Sequence, residues 1–86
     1  MTDISFEEMM GLARQCLDAI RGIDEFGEGD TEDAITAGEP LAAIESALDA
    51  AGSHPELKTR FPDQVRRMSE DPEFIELEPF REYLTT

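Results

Sequence analysis

Apolar residues recur at spacings of three and four along the first quarter of the chain. Phe6, Met9, Ala13, Cys16, Leu17 and Ile20 fall on one side of a helix. Its start is signalled by Ser5 followed three positions on by Glu8, the spacing of a capping box, with Ile4 placed to staple onto Met9. Gly22 is placed to end it, because glycine takes the left-handed conformation that a helix terminus often needs, and Ile23 can fold back onto Leu17.

The pattern then breaks. Residues 23–30 hold two glycines and four acids, and read as an acidic loop anchored by Phe26. Asp30 is placed to cap a short second helix, with Glu32 and Asp33 at the positive end of its dipole and Gly38 as its stop. Glu39-Pro40 predicts a third helix, since proline is tolerated in a first turn where its missing N–H costs nothing. Leu41, Ile44, Ala47, Leu48 and Ala51 form its inner stripe before Gly52, so residues 30–51 read as an αα-hairpin.

Beyond Gly52 the signals shorten. Ser53 and Glu56 repeat the capping-box spacing, Pro62 interrupts the helix they would open, and Phe61, Val65 and Met68 restart an apolar face. Asp71-Pro72 reads as a cap followed by a first-turn proline, and Pro79 precedes a last turn carrying Phe80, Tyr83 and Leu84. No run alternates long enough for a strand. The pattern therefore predicts an all-α domain over residues 1–86, a small bundle of about four to five helices ending in short, proline-broken ones.

Charge changes this picture most. The chain carries a formal net charge of −14, and no lysine or arginine stands between Arg21 and Lys58. Ten carboxylates lie in that interval, whereas the flanks are nearly balanced. A one-signed field attracts cationic surfaces, accelerates encounter with them, and repels nucleic acid and anionic membranes. Glu25, Phe26, Glu28, Asp30, Glu32, Asp33 and Glu39 are the candidate partner-binding residues, Phe26 serving as an aromatic anchor.

Other chemistry fits poorly. Glu28, Asp30, Glu32 and Glu39 occupy four ligand positions of a calcium-loop spacing, but Asp33 stands where the turn glycine belongs. Glycines 27 and 29 sit among carboxylates, unlike a phosphate loop. His54 lacks zinc partners at recognisable spacing, and Cys16 lies on an apolar stripe instead of an electropositive surface. No catalytic motif, cofactor site or metal site is expected. Arg66-Arg67, with Lys58 and Arg60, reads as an internal counterpart to the acidic hairpin or as a functional patch. With one cysteine there is no intramolecular disulfide, and the acidic start lacks the features of a signal peptide, so a cytoplasmic protein is expected.

The stretch Gly38-Glu39-Pro40-Leu41-Ala42-Ala43-Ile44-Glu45 resembles the inter-helix turn of tetratricopeptide-type repeats, of which it covers half a unit with no second copy. Residues 30–51 also resemble small acidic helical immunity proteins of bacterial polymorphic toxin systems, several of which carry such a turn before an alanine-rich helix. That resemblance implies a protein that blocks a toxin by binding it, and transfers no functional residue. The alternatives are a homo-oligomer packed through Ala43, Ala47, Ala50 and Ala51, and a divalent-metal protein using the acidic segment. The partner expected first is a basic protein, the chain itself being a monomer or homodimer.

Overall fold

The computed structural model describes residues 4–86 and is all-α. Helix α1 spans Phe6–Ile20 and opens on the capping box: Ser5 Oγ accepts from the Glu8 N–H at 3.1 Å, and Glu8 Oε1 accepts from the Ser5 N–H at 3.3 Å. Its inner side buries Leu12, Ala13, Cys16, Leu17, Ala19 and Ile20. Phe6, at the head of the predicted stripe, instead stands 61% exposed. Gly22 has a φ of 80°, which allows the chain to reverse after α1.

The acidic loop expected at 23–30 is a correction. Helix α2 runs Glu25–Thr36, capped by Asp24, whose side chain accepts from the Phe26 N–H at 3.1 Å. The αα-hairpin therefore begins near residue 24, with Asp30 inside the helix. Its buried side is made mostly of small residues: Gly27 and Thr31 are buried and Ala34 half-buried, with Ile35 half-buried at its edge. A Cβ on Gly27 would come within 2.5 Å of the Ala50 Cβ, so this glycine sets how closely α2 approaches the next helix. Thr31 satisfies its hydroxyl within the helix by donating to the Gly27 carbonyl at 2.8 Å.

At its C-terminus α2 closes with a Schellman motif. Gly38, at φ 76°, donates to the Ile35 carbonyl, and Glu39 donates to that of Ala34. Helix α3, Pro40–Ala51, follows at once and packs against both α1 and α2. Pro40, Ala43, Ile44, Ala47, Leu48 and Ala51 are buried, with Ile44 and Leu48 contributing about 1.5–3 kcal/mol each. The alanines proposed for self-association are thus used inside the chain: Ala43, Ala47 and Ala51 are 0% exposed, and Ala50 faces Gly27.

The remainder is a chain of short elements. A 3₁₀ segment Pro55–Arg60 leads to α4, Asp63–Ser69; a second 3₁₀ segment, Pro72–Phe80, is broken at Phe74 and leads to α5, Arg81–Thr85. The Ser53–Glu56 capping box does not form; His54 occupies the cap position without a side-chain bond, and proline follows it. Phe61 is extended at φ −80°, ψ 143°, as the residue before Pro62 requires. Asp71 caps the second 3₁₀ segment through the Glu73 N–H at 2.9 Å. Leu57, Phe61, Val65, Met68, Leu77 and Leu84 join the same apolar cluster as α1 and α3. Tyr83 ties the end of the chain to this core by donating to the His54 carbonyl at 2.8 Å, and burial, then Glu56, pushes its phenol up.

Candidate functional site

Helical geometry sorts the candidate residues of α2. Successive side chains advance by about 100°, so with Gly27, Thr31 and Ala34 turned to α3, Glu25, Gly29 and Asp33 point away from it, and Phe26, Asp30 and Asp33, spaced by four and three, share the flank opposite Glu28. Phe26 is 87% exposed, the most exposed large apolar side chain among the described residues. It does not anchor the segment to the core. Its backbone N–H is bound locally, by the Asp24 side chain that caps α2. Glu25, Asp30 and Asp33 are exposed and form no ion pair or side-chain hydrogen bond within the described chain. Glu25 also faces the positive end of the α2 dipole, which stabilises the first turn.

Glu28 and Glu32 lie on the flank nearer α1 and are partly used up. Glu28 Oε2 accepts from the Gly22 N–H at 3.1 Å, stitching the α1–α2 turn, while its Oε1 is 3.8 Å from Arg21. Glu32 is 3.9 Å from the same guanidinium, and Asp18 is 2.9 Å from it. The Asp18 hydrogen bond foremost, with Glu32 and Glu28 at longer range, holds Arg21 above its already high value. Such solvent-exposed pairs are weak. Glu39 is exposed in the α2–α3 turn, about 18 Å of helix axis beyond Glu25, and belongs to a different surface.

The basic pair is not the counterpart of this face. Arg66 bonds Asp63 at 2.8 Å and Glu70 at 2.9 Å, and Arg67 bonds Asp63 at 2.9 Å. These arginines hold the Asp63 carboxyl below the usual carboxylate range, the Arg66 hydrogen bond first. Lys58 donates to the Thr86 carbonyl. Each cation of α4 therefore meets acids of its own helix or its C-cap, and none of them pairs with a described residue of α2.

Among the described residues no group of three His, Cys, Asp or Glu converges to hold a metal ion. The calcium-like spacing of Glu28, Asp30 and Glu32 falls on a helix, which spreads those carboxylates around a cylinder instead of wrapping them about one point. Cys16 is fully buried, and desolvation pushes its thiol up to about 12, so it stays protonated at neutral pH. His54 Nδ1 lies 3.4 Å from Glu56 Oε2 at the start of the first 3₁₀ segment. None of the described helices is long and apolar enough to cross a membrane.

One juxtaposition has no sequence signal. The Glu45 carboxyl is pushed up by burial and then by Glu76, which comes from the second 3₁₀ segment. With the fold and this surface in view, the chain was compared with known proteins: no family model, no curated protein and no solved structure matches it.

Proposed function

We propose that this is a noncatalytic binding protein that covers a basic surface of a protein partner, as an immunity or inhibitor protein covers a toxin. The observation that carries the reading is the exposed side of α2, where Phe26 shares a flank with Asp30 and Asp33 and follows Glu25, three carboxylates without a cation of their own among the described residues. An aromatic flanked by like charges suits a contact in which the ring supplies buried area and the acids choose a cationic partner. Nucleic acid is disfavoured as the partner by the same field. The rigid helix also lowers the ordering cost that a loop would add on binding.

Affinity capture tests this with the full chain as bait in a lysate of the source cells. At about 10 mM salt, where screening extends over about 30 Å, a basic protein is retained; at about 1 M salt it is released. A bait carrying Glu25→Lys and Asp33→Lys retains nothing. Capture of the same protein by both baits, or capture indifferent to salt, defeats the reading.

A further inference from the structure

A second surface lies away from the outer face of α2, between the first turns of α1 and α3. We propose that this trough docks a partner segment in which one large apolar side chain is flanked by lysines or arginines. Its volume is about 420 Å³. Ile4, Met9 and Leu41 line it, half-buried with their inner sides against the core. Phe6, 61% exposed, forms a wall, held near the α2–α3 turn where a Cβ on Gly38 would lie 4.0 Å from its ring.

Glu39, Glu45 and Glu76 stand around this apolar floor, and no lysine, arginine or histidine is among the described residues that line it. Glu39 leaves its helix cap unbonded, so its carboxylate is not engaged there. Burial and the approach of Glu76 both disfavour the charge on Glu45, which is the environment a cation would relieve. These features select one occupant. A purely apolar segment would cover carboxylates without pairing them, and a bare cation would leave the floor wet. A second copy would bring another −14 against the same rim. An apolar anchor between two cations fills the floor and pairs the rim together.

The test is an NMR titration of the ¹⁵N-labelled chain with two synthetic peptides, one of alternating lysine and leucine, the other with serine replacing leucine. The leucine peptide shifts the amides of Phe6, Met9, Leu41 and Ala42, and the serine peptide binds about tenfold more weakly, the loss set by leaving a leucine-sized surface in water. Ala42→Trp, which fills the trough, abolishes binding. Glu45→Gln and Glu76→Gln each weaken it about two- to fivefold, the range of a partly exposed ion pair, and these two variants carry the test should the tryptophan variant melt early. Equal affinity for both peptides overturns the assignment, as does unchanged binding to the glutamine variants. Shifts centred on Glu25, Asp30 and Asp33 also overturn it while leaving the α2 reading intact, so failure of one is distinguishable from failure of the other.

Discussion

Helices α2 and α4 both carry several charges on the surface, and they use them in opposite ways. In α4 the acids and bases sit three and four residues apart and close on each other: Asp63 with Arg66 and Arg67, Arg66 with Glu70. In α2 no base is present, and Arg21, from the end of α1, reaches only the flank occupied by Glu28 and Glu32. The comparison teaches that net charge alone does not mark an interaction surface. What marks α2 is charge left without a local partner, beside an aromatic left without a core.

The largest expected effect concerns how α2 is held. Gly27→Ala drives a Cβ into Ala50 and destabilises the fold by about 1–2 kcal/mol, a clash of about 1–3 kcal/mol partly offset by the helix propensity of alanine. Two residues on, Gly29→Ala meets nothing within 4 Å and stabilises by up to about 1 kcal/mol. Urea unfolding of the two variants gives these opposite signs if α2 is a packed helix. Equal effects would mean that the segment is not held against α3.

Those two glycines also show where the fold was legible in the sequence and where it was not. Ser5, Glu8, Gly22, Gly38 and Pro40 signalled both ends of α1, the end of α2 and the start of α3 through capping chemistry that needs only neighbours in the chain. The first turns of α2 were hidden, because a helix that buries Gly27 and Thr31 against an alanine-rich partner shows no stripe of large apolar residues. Asp24 at the cap was the available signal. The Ser53–Glu56 spacing misled because Pro55 moved the start of the next element to His54. Within the candidate site, the acids were evident from composition, but their division into paired and unpaired sets depends on where Arg21 falls in space. Phe6 was read as core since its spacing fits the stripe of α1, although at the helix tip it stays 61% exposed beside the α2–α3 turn.

Acid separates two other regions. Asp63 has a lowered pKa in the fold, so its stabilising contribution is full above the ordinary carboxylate value and is lost as pH falls through the lowered one. Glu45 has a raised pKa, so its charge opposes folding at neutral pH and that penalty is relieved as pH falls through the raised value. Melting curves of Asp63→Asn and Glu45→Gln between pH 7 and pH 3 thus diverge from wild type in opposite senses. The asparagine variant is less stable at pH 7 and converges on wild type only at the acid end. The glutamine variant is more stable at pH 7, by no more than about 0.5 kcal/mol, and converges earlier. The same sign for both at pH 7 would contradict the arrangement of these carboxylates.

The smallest effect is that of salt on the isolated chain. Screening relieves repulsion among the unpaired carboxylates of α2, so the melting temperature rises between low and physiological ionic strength. Glu25→Gln with Asp30→Asn and Asp33→Asn flattens that rise, whereas Glu70→Gln at the C-cap of α4 does not. A rise unchanged in the α2 variant would place the repulsion elsewhere.

The central claim, that the outer face of α2 recruits a cationic partner, is tested most directly by the association rate with the captured protein as ionic strength increases. For wild type the rate falls steeply with salt; for the Glu25→Gln, Asp30→Asn, Asp33→Asn variant the slope shrinks, and for Phe26→Ala the slope is kept while dissociation quickens. A slope unaltered by removing those three charges would contradict the account.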